Sequence, residues 1–408
     1  MMQDRIRLLE FVTGFQVGGT ERQFVLLGER LDRGSFDLSM ACLNRCGEFL
    51  GPVEELGVPL DHYRISSLGS WGAMSERARL ASNLRRQDID ILHSYGFYPN
   101  FFAIPPAWLA RVPVIVASIR DTGEWTTPAQ NRAQSLVCRL ADHVLVNAAA
   151  VVDRLEREGY DRSRISVIEN GVDLSRFPLH RDRGALRHEL GVAAGAPLVA
   201  VLARMHSNTY GVDLKGIRYF LEAAAILSRR FQEARFLIVG DGPLRAEMER
   251  YALRLGLGNR VVFMGFRLDI PEILSEVSVA VSPSLAEAIS NSVIESMAAG
   301  VPVVATRVGG TPEAVQDGVT GILVPPRDSD ALARAIGRLL EDRDLAVRFG
   351  RSGRRRVEDR FSTERMVRAT ERLYGSLIEK ARKRSGLRWW RRWNRRPGAA
   401  APRAASLP

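Results

Sequence analysis

Glu287 and Glu295 flank a run of helix-starting residues, Ser290, Asn291 and Ser292. The free N–H groups of a helix start carry positive potential and hold phosphate. Two carboxylates that close to an anion site need neutral partners. Ribose or hexose hydroxyls supply them, because a carboxylate accepts two O–H hydrogen bonds. Without that chemistry, the segment is a capped loop with one surface Glu. Arg204 follows an apolar run and Lys215 precedes an amphipathic one. Converging at one edge, they would neutralise a diphosphate; taken alone, they are two solvated loop cations. Gly18-Gly19-Thr20-Glu21 and Val239-Gly240-Asp241-Gly242-Pro243-Leu244 each stand between an apolar run and a helical pattern. Glycines there allow close backbone approach to an anion, and Pro243 suits a first helical position. By itself each motif is a tight turn. Asp88-Ile89-Asp90 puts two carboxylates on one face before a buried strand, which reads as a solvated turn rather than a metal site. His93, at a strand end, is a first-domain candidate, although a lone His there is more often a structural hydrogen-bonder.

The elements that must carry these residues alternate. Apolar runs at 6–12, 38–43, 89–93, 113–117, 143–146 and 165–168 predict strands. Amphipathic stretches at 20–31, 74–86, 130–140 and 149–158 predict helices between them. The pattern restarts with strands at 197–203, 235–239, 260–264, 277–281, 302–305 and 321–324, and with a helix at 216–230. Alternation of this kind predicts parallel sheets covered by helices on both faces. The break lies around 174–196, a segment with Pro178 and a run of charges, with a hinge near 175–180. We therefore expect domains at 1–178 and 179–362, a terminal helix at 363–384 that packs back toward the first domain, and a basic end at 385–408. Open α/β sheets bind ligands at strand C-termini, so the cleft faced by the two domains is the expected site.

The chain has 408 residues, which suits two domains. Its net charge of +11 first points to an anionic partner. Ten basic residues and no acidic ones lie from Lys380 onward, which leaves +1 for residues 1–379. A nucleic-acid partner for the body is therefore not expected. Cys42, Cys46 and Cys138 form no CxxC pair, and no Cys/His cluster has zinc spacing. A reducing, cytoplasmic compartment is expected. The N-terminus has no long apolar core of a secretory signal. The most apolar stretch, 101–119, contains Pro105, Pro106, Arg111 and Pro113 and is not read as a membrane span.

Several ordered motifs together carry a family resemblance. Glu287-x7-Glu295 followed by Ser-Met-Ala-Ala-Gly-Val-Pro-Val-Val-Ala-Thr resembles the signature of the retaining glycosyltransferases of family 4. So do Val-Gly-Asp-Gly-Pro-Leu-Arg at 239–245, Phe-Met-Gly-Phe at 263–266 and Gly309-Gly310-Thr311-Pro312-Glu313. Asn170-Gly171-Val172-Asp173 is similar to that family's Asn-Gly-Ile-Asp segment, and Gly18-Gly19 to its N-terminal glycine loop. The likeness covers about residues 5–380 and is strongest in the second half.

The resemblance implies the GT-B fold, with two Rossmann-like domains facing a cleft. It implies a nucleoside-diphosphate sugar donor, retention of anomeric configuration, and no metal or other cofactor. Arg204 and Lys215 would bind the diphosphate, with Ser290, Asn291 and Ser292 adding hydrogen bonds. Glu295 would hold the ribose, and Glu287 would contact the donor sugar. Gly265, Phe266 and Arg267 would line the base pocket. Two departures stand out. The family places its Arg and Lys closer together than Arg204 and Lys215 stand here. Where many members carry an acceptor-side His, this chain has Arg120 followed by Asp121. The expected acceptor is a glycan or lipid-linked glycan in cell-surface polysaccharide synthesis. Other readings are a sugar-phosphate synthase, an epimerase, or a non-catalytic nucleotide-sugar-binding scaffold. The stretch 380–396, with Trp389, Trp390 and Trp393 among its cations, is read as a membrane contact that would place the enzyme on the inner membrane face; nucleic-acid binding by Arg and stacking, or a solubilising end, are the other readings.

Overall fold

The computed structural model describes residues 5–178 and 184–385. Thirteen strands are found among them. The first sheet contains β1 (Ile6–Val12), β2 (Phe36–Cys42), β3 (Leu60–His62), β4 (Ile91–Tyr95), β5 (Val114–Ile119), β6 (His143–Val146) and β7 (Ile165–Val167). Their order is β3-β2-β1-β4-β5-β6-β7. The second contains β8 (Leu198–Leu202), β9 (Arg235–Val239), β10 (Val261–Gly265), β11 (Val279–Ser282), β12 (Val303–Thr306) and β13 (Gly321–Val324), in the order β10-β9-β8-β11-β12-β13. Neighbouring strands run parallel, as in β1 with β2 and β4, and β8 with β9 and β11. These are two Rossmann-like sheets, as the alternation predicts. The central strands are continuous apolar runs because helices cover both of their faces. Around β8, Val199, Phe220, Phe236, Ile238, Val279 and Ile336 form one core.

The chain divides into two compact units: the described residues of Met1–Ile119, Gln134–Leu145 and Val367–Pro408, and those of Arg120–Ala133 and Val146–Met366. This division differs from a single boundary at 178/179, and the reason is local hydrogen bonding. Asn208 and Thr209 donate to the carbonyls of Glu124 and Trp125 at 3.0 and 2.9 Å. Both carboxylate oxygens of Glu313 accept at 2.8 Å, from the N–H groups of Ala149 and Ala150. Those bonds hold 120–133 and 146–178 to the second sheet's unit. The last helix, Thr363–Ser385, supplies Tyr374 to the core of the first unit. The hinge expected at 175–180 falls partly on 179–183, outside the described residues, as does 386–396 of the basic stretch.

One helix overrides a local rule. Phe97–Ala110 stays helical through Pro105 and Pro106. Proline removes the bond to the carbonyl four residues back. For Pro105 that carbonyl is Phe101, and Arg77 donates to it at 3.2 Å from the neighbouring helix, Trp71–Arg86. The Asp88-Ile89-Asp90 turn is not wholly solvated either. Asp90 is buried and accepts the Arg7 N–H at 3.1 Å, while Asp88 pairs with the Arg7 guanidinium at 3.6 Å.

Candidate active site

Four loops at the C-terminal ends of strands build the site, all in the second unit. After β8 the chain passes Arg204 and turns back as a hairpin, with Ser207 bridged to Asp213. Asn208 makes that turn by accepting the N–H groups of Tyr210 and Val212, each at 3.0 Å. The residues separating Arg204 from Lys215 are thus folded away, and the two cations flank the base of the hairpin. Asp213 then accepts the N–H groups of Lys215 and Gly216 at 3.0 and 3.1 Å, starting the helix Ile217–Ser228. Burial pushes the Asp213 carboxyl above its ordinary range.

The glycines of the second motif shape the Arg204 loop. Gly240 and Gly242 have φ of +141° and +153°. A Cβ on either would lie 2.1 Å from the Ala203 oxygen or 2.3 Å from the Met205 oxygen. Backbone bonds from Met205 N–H to Asp241 (2.9 Å) and from Leu244 N–H to Met205 (3.0 Å) complete the cradle. Its role is to fix the cation-bearing segment. Arg204 itself is exposed, and its charge, after burial, helps to lower the His206 pKa.

Lys215 reaches the loop after β11. Its Nζ donates to Glu287 Oε1, which also accepts from Ser284 Oγ at 3.1 Å. Both side chains are largely buried. Gly309 and Gly310 hold this loop from behind: a Cβ on either would meet the carbonyl oxygen of Glu287 or Ala288 at 1.8 Å. The Gly310 N–H donates to the Glu287 carbonyl at 3.1 Å.

The loop then enters the helix Asn291–Ala298. Ser290 occupies the cap position with extended backbone but makes no side-chain capping bond. Its hydroxyl instead pairs with that of Ser292 at 3.0 Å. Asn291 Oδ1 accepts from Asn170 Nδ2 at 2.6 Å, and Asn170 Oδ1 accepts from Arg120. Arg120 is therefore linked to the helix start through Asn170, a relay that no spacing pattern in the sequence reveals. Glu295 is buried inside the helix.

Lys215, Glu287, Ser290, Asn291 and Ser292 are thus brought together, with Arg204 in the adjoining loop. Gly265 has left-handed backbone (φ +66°) at the end of β10, and the Phe266 ring is exposed beside it. Arg267 differs from expectation. Its guanidinium is bound by Asp269 at 2.8 and 2.6 Å and by Glu189 at 2.6 and 3.1 Å. These bonds, Asp269's first, raise its pKa further above its already high value and commit the side chain to an ion-pair network. Asp121 is likewise engaged, accepting the Gly123 N–H at 2.8 Å and pairing with Arg154 at 3.4 Å.

The remaining candidates belong to the first unit. Gly18 is extended (φ −158°) and Gly19 opens the helix Gly19–Arg30. His93, the other acceptor-side candidate, is buried in this unit, and its Nδ1 and Nε2 lie 2.6 and 2.8 Å from the hydroxyls of Tyr374 and Ser118. Beside it Glu10 is fully buried and accepts from Tyr95 and Tyr374 at 3.0 and 3.4 Å. Burial pushes its carboxyl up to about 8. Among the described residues, no group of three or more His, Cys, Asp or Glu side chains converges as a metal site.

Two Rossmann-like sheets, one carrying cations and carboxylates around a helix start, are an architecture shared by many nucleotide-binding enzymes. Sequence comparison specifies the class. Residues 17–176 match Glycosyltransferase Family 4 and residues 196–342 match Glycosyl transferases group 1, so the chain belongs to that family and is a glycosyltransferase. An alpha-D-kanosaminyltransferase of Streptomyces kanamyceticus is 30% identical over 73% of this chain and 80% of its own. An Escherichia coli UDP-Gal:alpha-D-GlcNAc-diphosphoundecaprenol alpha-1,3-galactosyltransferase is 24% identical over 89% of this chain and 95% of its own. Anabaena HepE, solved in complex with UDP and glucose, superimposes with a TM-score of 0.80 at 23% identity, over 91% of this chain and 100% of its own. The fold is GT-B.

Proposed function

We propose that the enzyme transfers a hexose-type sugar from a nucleoside-diphosphate sugar to a hydroxyl of a glycan or lipid-linked glycan, with retention and without a metal. The observation that carries this reading is the Lys215–Glu287 pair set at the start of the helix Asn291–Ala298. In the bound state Lys215 and Arg204 face the diphosphate and take up charge as it departs, the task a metal ion performs elsewhere. Backbone N–H groups near Ser290, Asn291 and Ser292 add hydrogen bonds to the same oxygens. Glu295 receives the ribose hydroxyls and Glu287 the hydroxyls of the sugar. The backbone at Gly265 and Phe266 lines the base pocket. Arg120 and Asp121 serve the acceptor side. The lipid-linked acceptor is supported by the specificity in the name of the E. coli relative. Among the described residues no helix is long and apolar enough to cross a membrane. We place the enzyme on the cytoplasmic face, with 380–396 touching anionic lipid.

The test is a thermal-shift panel of UDP-, GDP- and ADP-sugars, followed by release of nucleoside diphosphate. One donor should raise the melting temperature and be turned over slowly, and Lys215→Ala should abolish turnover. Binding without turnover across a range of hydroxyl acceptors would refute the enzymatic reading of this site.

A further inference from the structure

The hairpin between Arg204 and Lys215 closes on its own bonds. The Asn208 N–H donates to the Val212 carbonyl at 2.9 Å, and the Gly211 N–H to the Asn208 carbonyl at 3.0 Å. Asn208 Oδ1 accepts the N–H groups of Tyr210 and Val212. The other end of that amide leaves the hairpin: Nδ2 donates to the Glu124 carbonyl at 3.0 Å. Next to it, Thr209 Oγ1 donates to the Trp125 carbonyl at 2.9 Å. Two neighbouring side chains thus take two neighbouring carbonyls, and the turn itself needs neither bond.

Both carbonyls belong to the segment that begins with Arg120 and Asp121, and that segment has a defined shape. Asp121 accepts the Gly123 N–H at 2.8 Å, Gly123 bends with φ +89°, and Asn131 Nδ2 donates to the Gly123 carbonyl at 3.0 Å. The segment meets the donor loops at three places. At its start Arg120 donates to Asn170, which donates to Asn291 at the helix start. In its middle the Thr122 methyl carbon lies 3.4 Å from where a Cβ of Gly309 would stand, and Gly309 backs the Glu287 loop. At its far end stand Asn208 and Thr209. Each meeting involves a different element: the helix start, the Glu287 loop and the Arg204–Lys215 hairpin. Residues 120–125 are therefore held in register with the loops that carry Lys215, Glu287 and Asn291.

We propose that Asn208 and Thr209 are positioning residues for the acceptor. Through the Glu124 and Trp125 carbonyls they fix the segment that presents Arg120 and Asp121, so that an acceptor hydroxyl meets the anomeric carbon in attack geometry. A displacement of about 1 Å at a reacting centre costs about 100-fold in rate, so two bonds at the far end of this segment act strongly on transfer. They have no such leverage on the diphosphate, which Lys215 and the helix start address directly. The wide spacing of Arg204 and Lys215 thereby has a use: the residues between them reach the acceptor side. This inference rests on the sugar-transfer reading above and adds to it what sets the acceptor in place.

The test separates transfer to an acceptor from transfer to water. Thr209→Val keeps the shape and removes the hydroxyl. Asn208→Ser removes the donor to Glu124 and leaves a hydroxyl that can accept the Tyr210 N–H within the turn. The full chain with both changes is compared with its parent, using the nucleotide sugar that most raises the parent's melting temperature. Octyl glucoside, octyl galactoside and octyl mannoside serve as acceptor probes. The acceptor kcat/KM should fall about tenfold, while donor KM and release of nucleoside diphosphate to water stay within twofold. Thr209→Ser, which keeps the hydroxyl, should match the parent in both. Amide hydrogen exchange should rise across 121–127 and stay unchanged in the helix Ile217–Ser228. Equal losses in transfer and in hydrolysis would overturn the proposal, because they would mark a merely structural role. Unchanged exchange at 121–127 would overturn it with or without a productive acceptor. A parent chain that releases no nucleoside diphosphate from any donor would instead refute the sugar-transfer reading, and this inference with it.

Discussion

Replacing Lys215 with Met separates the chemistry of the site from its stability. The substitution keeps most of the stem and removes the ammonium. Glu287 then loses one partner and keeps the Ser284 hydroxyl at 3.1 Å. The Lys215 and Glu287 side chains are 22% and 12% exposed, so water reaches the orphaned carboxylate and the stability cost is about 1–3 kcal/mol. That lowers the melting temperature by a few degrees. The cost to turnover is larger. Two unit charges ~4 Å apart interact by about 4 kcal/mol at an effective dielectric near 20. If Lys215 faces the departing diphosphate at such a distance, kcat/KM falls by about 10³-fold, at about 1.4 kcal/mol per factor of ten. Steady-state release of nucleoside diphosphate reads this directly, and Lys215→Arg should recover part of it. The double variant Lys215→Met/Glu287→Gln should fall short of the summed single losses, because the two side chains touch. A Lys215→Met enzyme within tenfold of the parent would refute the leaving-group role.

Three further outcomes follow from the structure. Glu10 is held neutral up to about pH 8 by burial, whereas in the unfolded chain it ionises near 4.5. The folded state therefore keeps a proton that the unfolded state releases, and stability declines as pH rises from about 5 to 8, by up to ~1.4 kcal/mol per unit. Glu10→Gln should flatten that decline in melting curves taken across the range, and an unchanged slope would contradict it. Gly310→Ala would put a Cβ at 1.8 Å from the Ala288 oxygen, so the Glu287 loop must move. We expect about 3 kcal/mol lost in denaturant unfolding and a large fall in turnover. Arg267→Ala removes a guanidinium held by Glu189 and Asp269, so it should cost about 1 kcal/mol of stability and leave the donor KM within a fewfold of the parent's.

The strands were the most legible part of the sequence. β1, β6, β9 and β13 coincide with the apolar runs at 6–12, 143–146, 235–239 and 321–324, because a strand buried on both faces writes itself as an uninterrupted run. The helix Phe97–Ala110 was not legible, because Pro105 breaks the local rule and its compensation, Arg77, comes from another helix. Within the site, Lys215, Glu287 and the helix start were readable from residue type and position. The Arg204 hairpin was not, since it depends on Asn208 and on bonds to Glu124 and Trp125. The links of Arg120 to Asn170 and of Asn170 to Asn291 join residues 50 and 121 positions apart, beyond the reach of any periodicity. His93 was readable as a chemically capable side chain, but its partners Tyr374 and Ser118, 281 and 25 positions away, were not.

Tyr374 closes the cluster of Glu10 and His93, and it lies 281 positions after His93. During synthesis the first sheet leaves the ribosome with that cluster incomplete. At about 5–20 residues per second, Tyr374 is made about 15 to 55 seconds after His93. Through that interval Glu10 has the Tyr95 hydroxyl and His93 the Ser118 hydroxyl, and the contacts with Tyr374 form when that residue joins the first unit. The sheet made first is thus completed by a residue made long after it.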